Sequence, residues 1–413
     1  MASLLMKNES IELSRRRMRY NAHDTSYTST NSQRIRINVE TSQEHIDFES
    51  SYLVFQIAVS GGTTDVGLNR YAASSWIREI RFKDRAGNQI GENLQNYSTM
   101  VRTHYELKAT LDQEKSYLDA LEGAQGVTLS GQGTTVVSTQ YAHRFITHIG
   151  AMKNYFPSKY LGGLIIEMDM EQGSDVVLQT ATESGAVYTI TDLAFVASLV
   201  KLKPEVESVL IQQLQKGLTV DYTSTHTIIA SEGTSTAQRF DLGTQNGRVK
   251  NVQTVSVPTK ASQAVDSKNT FSSNKLSNYR FKLGSRYLTE SQVEVSSAKQ
   301  AEYLVEYMIS QKLQTEPYGL FGSESLTKAV LFGASTGGKF VVGQNADRSK
   351  SDAVLSSLKD KDNNRLELNR NYSSAPTAST LFTFVALDKR MVILPGKQFV
   401  DNDFSGEGTN MDN

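Results

Sequence analysis

Several short stretches carry residue types that could do chemistry. Gly333-Ala-Ser-Thr-Gly-Gly-Lys339 has the glycine and lysine spacing with which backbone amides and an ammonium cradle phosphates. Phe340 stands where that loop needs a Ser or Thr to ligate magnesium, and the following Val-Val-Gly-Gln reads as a strand where a helix should begin. Within the same stretch, Gly333-Ala-Ser335-Thr-Gly337 fits a nucleophile elbow, but that arrangement takes its histidine after the serine and the last histidine here is His226. A Gly-rich hairpin is the better reading. His143 and His148 are five residues apart, which on neither a strand nor a helix gives a ready metal pair, so structural roles are expected. Glu167, Asp169 and Glu171 alternate along a β-like segment and would share one face, as a divalent cation or paired-carboxylate chemistry would require. A solvated strand face explains them at lower cost. Asn8, Asn96 and Asn371 begin N-x-Ser patterns that read as chance matches in a Ser-rich chain. No catalytic constellation, cofactor or metal site is expected.

The remaining candidate is electrostatic. Arg15, Arg16, Arg17 and Arg19 form the sharpest basic cluster, and the polar stretch after it, His-Asp-Thr-Ser-Tyr-Thr-Ser-Thr-Asn-Ser-Gln, offers little to bury. Residues 1–30 are therefore read as a flexible basic arm that could touch phosphate on nucleic acid or lipid. The chain as a whole, with 43 basic and 44 acidic residues and a net charge of -1, is no electrostatic nucleic-acid binder, so such contact must be local. Zero cysteines exclude disulfides, thiolate metal sites and thiol nucleophiles. The amino terminus lacks the apolar core of a signal peptide, and no apolar run is long enough to span a bilayer.

The elements that would position these residues are mostly strands. At 413 residues, with 38% hydrophobic and 21% charged residues, the chain is long enough for two or three domains with their own cores. Val200 to Gly217 divides it. Pro204 suits a first helical position, Val206, Val209, Leu210 and Leu214 fall on one face, and Gly217 offers a left-handed terminator. Before it, Arg34 to Glu40 alternates as a half-buried strand, Ser51 to Val59 is a second strand, and Trp76 to Lys83 a third that ends in an Arg85 to Asn88 turn. Asn93 is placed to cap a helix with Leu94, Tyr97, Met100, Val101, His104 and Tyr105 on one face, and a second helical piece runs from Leu111 to Leu121. Tyr160 to Met170 and Val187 to Lys203 are strongly β. After the helix the grammar repeats, with Asn278 to Glu290 as strand and turn. A helix follows, capped by Ser297 and Gln300, with Ala301, Leu304, Val305 and Met308 buried. Further strands are expected at Lys328 to Phe332, Lys339 to Val342, Arg365 to Leu368 and Ser379 to Gly396. The last resembles the segment that closes the first half, both stopping at a proline, Pro204 or Pro395. The acidic tail 397–413 reads as mobile.

This β-helix-β order, and the phrase Phe156-Pro-Ser-Lys-Tyr-Leu-Gly-Gly-Leu-Ile-Ile-Glu-Met-Asp-Met170, resemble the double jelly-roll major capsid proteins of the adenovirus, virophage and polinton-like double-stranded DNA virus lineage. Trp76 to Met100, with its strand, Asp-x-x-Gly-Asn turn and Asn-Tyr entering a helix, is similar to the same family's first half. Gly162-Gly163 departs from it, standing where the family has a proline-containing turn. The resemblance implies an all-β fold with inserted helices: two tandem eight-stranded jelly rolls, at 31–203 and 218–396, joined by a short helix at 204–217. It implies a structural protein and no enzyme. Such a protein would trimerise into pseudo-hexameric capsomers and build an icosahedral shell around the genome. Its partners would be neighbouring capsomers, penton and minor capsid proteins, and it would be made in the host cell without a secretion signal for the virion. Arg15, Arg16, Arg17 and Arg19 would then lie on the inner face against genome or membrane. A monomeric β-sandwich that binds glycans or mediates adhesion is the alternative from another class.

Overall fold

The computed structural model describes residues 11–30, 34–60, 66–91, 93–108, 111–124, 127–129, 138–147, 149–150, 154–179, 187–244, 248–258, 271–295, 298–299, 301–310, 340–346, 365–394 and 398–402. The first half contains strands β1 (Glu12–Asn21), β2 (Ser26–Thr28), β3 (Arg34–Val39), β4 (His45–Ser60), β5 (Val66–Leu68), β6 (Ile77–Lys83), β7 (Leu94–Gln95), β8 (Val127–Leu129), β9 (Ser138–His143), β10 (Leu164–Met170), β11 (Val177–Gln179) and β12 (Val187–Leu202). Its helices are α1 (Ala72–Ser75), α2 (Tyr97–Lys108), α3 (Leu111–Lys115), α4 (Tyr117–Glu122), α5 (Ser158–Leu161) and α6 (Gly173–Val176). The joining helix is α7 (Pro204–Gln215). The second half holds β13 (Leu218–Glu232), β14 (Ala237–Thr244), β15 (Arg248–Pro258), β16 (Leu276–Leu283), β17 (Arg286–Tyr287), β18 (Val293–Glu294), α8 (Ala301–Ser310), β19 (Val342–Asn345), β20 (Arg365–Tyr372), β21 (Ser379–Leu394) and β22 (Gln398–Asn402).

Each half is a sandwich of two antiparallel sheets, and the two halves use the same strand order. The first has β1-β12-β4-β9 facing β3-β10-β6-β7; the second has β13-β21-β15-β19 facing β14-β20-β16-β17, with β18 also on β16. In both, the strand that opens the half pairs with the strand that closes it. A small third sheet, β11-β5-β8, decorates the first half. Alternation explains the layering: β3 buries Ile35, Ile37 and Val39, and β4 buries Leu53, Phe55, Ile57 and Val59, while their neighbours face outward. Trp76, fully buried, meets the Phe55 ring edge-on at 5.3 Å. The apolar core is continuous through both halves and α7. Among the described residues no helix is long and apolar enough to cross a membrane.

The two ends of the chain depart from the sequence reading. Glu12–Asn21 is a strand of the first sandwich, so residues 11–30 are not a free arm, while 1–10 lie outside the described residues: Tyr20 is buried with its hydroxyl on the Glu40 carbonyl at 2.6 Å, and Tyr27 of β2 is in the core. The arginine run masked Tyr20, and the polar stretch masked Tyr27. At the other end, β22 folds back onto β21, taking Gln398–Asn402 out of the expected mobile tail. The helix expected from Asn93 begins at Tyr97, because Leu94 and Gln95 pair with β6 and Asn96 turns the chain with a φ of 51°. The piece from 111 to 121 is two helices broken at Ser116.

Two helix faces also differ. In α7, Leu210 is buried and Val206 and Leu214 pack against the core, but Val209 is 38% exposed and Glu207 points inward. In α8 the buried positions are Tyr303, Tyr307 and Ser310; Ala301 and Val305 are exposed and only Leu304 packs against the core. Tyrosine is here the anchor: Tyr303 stacks on Phe340 at 5.0 Å and donates to the Val341 carbonyl at 2.6 Å. The expected cap residues Ser297 and Gln300, the Met308 side chain and the segment Lys328 to Phe332 lie outside the described residues.

The departure at Gly162-Gly163 has a steric reason. Gly162 ends α5 in the left-handed region, and Gly163 sits at φ 128°, where a Cβ would come within 2.6 Å of the Val39 carbonyl oxygen. That oxygen belongs to β3, which pairs with β10 through Val39 and Leu164. Gly163→Ala is therefore expected to cost roughly 2–3 kcal/mol in denaturant unfolding, whereas Gly233→Ala, with open space around it, should cost under about 1 kcal/mol.

Candidate functional site

The residues singled out for chemistry do not converge. Gly333, Ser335, Lys339 and His148 lie outside the described residues. His143, on β9, is fully buried in a relay of its own: Nδ1 is 2.8 Å from Glu122 Oε2, and Nε2 is 2.8 Å from the Tyr97 hydroxyl. That hydroxyl also accepts the Ile146 amide at 2.9 Å. A neutral imidazole donating from Nδ1 to Glu122 and accepting at Nε2 satisfies every partner. Burial pushes the Tyr97 hydroxyl well above its ordinary pKa. The carboxylate, imidazole and hydroxyl are in line as a catalytic relay would be, yet Tyr97 and His143 have no exposed surface and Glu122 almost none. The arrangement ties α2 and α4 to β9.

Glu167, Asp169 and Glu171 do alternate along and just beyond β10, but they are not solvated. All three residues are less than a tenth exposed, and basic side chains from the flanking strands fold over Glu167 and Asp169. Asp169 accepts Arg34 of β3 at 3.0 Å and Arg81 of β6 at 2.7 Å, and Lys83 lies 2.7 Å from Glu167. Burial pushes the Asp169 carboxyl up, and the two guanidinium groups more than offset it, leaving its pKa below the ordinary value. A carboxylate already paired with two arginines is a poor cation ligand. Among the described residues no three His, Asp or Glu side chains gather as a metal site would need.

The arginine cluster becomes an edge strand. Among the described residues β1 pairs only with β12, and register puts Arg15, Arg17 and Arg19 opposite Val200, Ser198 and Val196. Arg15 is held by Glu12 at 2.8 Å and Asp47 at 2.7 Å; Arg16 grips Glu44 with two bonds of 2.6 and 2.8 Å. Arg19 donates to the Asp192 carbonyl at 3.1 Å. Arg17 is exposed and makes no ion pair among the described residues. Four positive charges along an edge also discourage unspecific strand pairing.

These features sit in a fold with known counterparts. No family model matches the sequence, and no curated protein does. Solved structures do. The Faustovirus major capsid protein superposes with a TM-score of 0.66 at 7% identity, over 93% of this chain and 91% of that one. The Sputnik virophage structure gives 0.62 at 8% identity over 96% and 90%, and the PBCV-1 virus capsid 0.60 at 10% over 96% and 97%. The chain is a double jelly roll.

A double jelly roll needs its two barrels fixed to each other, and the joint holds the group that the sequence reading missed. Glu207 of α7 accepts from His45 of β4, Lys159 and Tyr160, at 2.8, 2.8 and 2.9 Å. Its position beside Val206 and Leu210 was the one available signal; nothing in the sequence links it to His45, 162 positions away. Burial pushes this carboxyl up, but its three donors outweigh that and hold its pKa at about 2, below the ordinary 4.5. A carboxyl depressed on folding contributes stability fully present above pH 4.5 and lost as pH falls toward 2. Glu207→Gln should remove that acid-side slope and, by turning one of the two acceptor oxygens into an amide donor that faces either His45 or Lys159 and Tyr160, cost roughly 2–4 kcal/mol at neutral pH. Denaturant unfolding at pH 7 and across that acid window measures both; an unchanged slope in the variant would assign the titration to another group.

Proposed function

We propose that this protein is a major capsid protein that trimerises into pseudo-hexameric capsomers and builds an icosahedral viral shell around the genome. The observation that carries the reading is the match of both barrels, over more than nine-tenths of the chain, to capsid proteins of three viruses. Two barrels of the same strand order in one chain give six similar units in a trimer, so one gene product tiles like a hexagon. The closed sandwiches hide most sheet edges, as a shell protein at high local concentration requires. The role is structural rather than catalytic, and its place is the virion.

The finer partners belong to the same proposal. Penton and minor capsid proteins would complete the shell where flat hexagons cannot. Contact of the arginine strand with an anionic surface rests on Arg17 and Arg19, since Arg15 and Arg16 already hold carboxylates.

Light scattering of the purified chain across protein concentration and salt tests the central claim. A stable trimer, or larger particles built of trimers, is expected. A monomer under all conditions would overturn it in favour of a β-sandwich adhesion or glycan-binding protein.

A further inference from the structure

The two barrels share a strand order but not a filling. On the inner face of the first, β4 and β12 carry Leu53, Phe55, Ile57 and Phe195, all fully buried and without a polar side-chain atom. In the second, the strands in the same places, β15 and β21, carry hydroxyls instead. Arg370 of the facing strand β20 marks which side is inward, because it donates to the Ser256 hydroxyl at 2.7 Å. Alternation puts Thr254 on the same side as Ser256, and register sets Thr383 directly opposite Thr254. Both threonines are 0% exposed.

A hydroxyl in such a place needs a partner. Among the described residues neither threonine hydroxyl has one, and the Nε of Arg370, a residue 2% exposed, has none either. The surrounding backbone is already committed to the sheet: Thr383 lies between Ile228 and Thr254, and Thr254 between Thr383 and Val342. Left dry, each of these atoms would carry the full desolvation penalty of a buried polar group. Residues directly opposite on antiparallel strands have Cβ atoms about 5 Å apart, so one small molecule can touch both hydroxyls. The guanidinium comes down beside them. Its Nη1 holds Ser256, two residues along from Thr254, and Glu232 at 2.9 Å.

The groups themselves select the ligand. Each hydroxyl can donate and accept, whereas Nε only donates. An added anion has no charge to balance, since Arg370 is already paired with Glu232. A cation would face the guanidinium with only neutral hydroxyls to hold it. Water accepts from Nε and exchanges hydrogen bonds with both threonines, and about three partners is the usual complement of a buried water.

We propose that the second barrel holds a buried water between Thr254, Thr383 and Arg370, bound by the two hydroxyls and by Nε. The water completes the hydrogen bonding of a guanidinium that is taken out of solvent between two sheets. It thereby links β15 and β21 to β20 through a polar joint, where the first barrel uses aromatic rings. The site stands or falls independently of the role in a viral shell.

Valine has the shape of threonine without the hydroxyl, so Thr254→Val and Thr383→Val in the full chain test the site by the sign of their effect. With the water in place, each variant removes one of its partners, and the urea midpoint should fall. The double variant should fall by less than the sum of the two, because both act on one ligand. Thr383→Ser keeps a hydroxyl and should leave the effect of Thr254→Val undiminished. Dry hydroxyls give the opposite: deleting an unpartnered buried polar atom leaves the midpoint unchanged or raises it, and that result would overturn the proposal. A crystal structure that resolves ordered solvent gives the direct check. A density peak within hydrogen-bond reach of both threonine hydroxyls is expected in the wild type and should be gone from the double variant. Side chains packed together with no peak between them would overturn the site even if the midpoints fell.

Discussion

Two strands of sixteen residues, β12 and β21, are the constraint on which the rest of the structure depends. Each lies inside its sheet, flanked by the strand that opens its half and by the third long strand, so neither has a free edge. Pairing first with last closes each half over a long sequence separation. The closure entropy grows only slowly with that separation, while the ladder and the buried side chains grow with strand length. Both strands reach nearly to the residue that stops them: Leu202 lies two before Pro204, and Leu394 one before Pro395. The first proline then starts α7, where its missing amide costs nothing.

Hydrophobic faces alone would let two sheets slide, and polar groups placed between them fix the register. Arg370 of β20 is 2% exposed; it reaches across the second sandwich to Glu232 at 2.9 Å and to Ser256 at 2.7 Å. Tyr372 also donates to Glu232, and Asn274 binds its other oxygen at 3.0 Å. A buried ion pair often adds little net stability, since desolvation offsets the attraction. Its geometry is nonetheless unforgiving: any register other than the native one would leave a buried charge without its partner. Glu122 with His143, and Glu207 with His45, act in the same way in the first barrel and at the joint.

The sequence made the barrels legible where one face was buried and the other wet. Arg34 to Val39 shows this, with every second residue apolar, and the strand falls where alternation put it. Alternation failed where burial came from tyrosine or from long charged side chains. β1 looked like an arm because Arg15 to Arg19 mask a strand held by one buried tyrosine, and α8 presents Tyr303 and Tyr307 inward while Val305 faces water. His45 to Ser60 was read from Ser51 because its register with β12 shifts beside Glu49 and Ser50, and the apolar period breaks there. The charged pairs were illegible for another reason. Glu207 and His45 are neighbours only through the tertiary fold, and no local pattern encodes such a pair.

The Glu122–His143–Tyr97 relay shows how residue types suited to acid–base chemistry can serve packing instead. It has the spacing and the residue types of acid–base chemistry, and it has no access for a substrate. The carboxylates of β10 are likewise consumed by Arg34, Arg81 and Lys83. What the described residues leave half-exposed is sheet surface: Tyr52, Val54 and Gln56 on the outer side of β4, Val196 of β12 beside them, and Ile229 of β13. Both barrels keep such surface, since Thr227 of the second touches the Gln95 carbonyl while Ile229, two residues on, faces water.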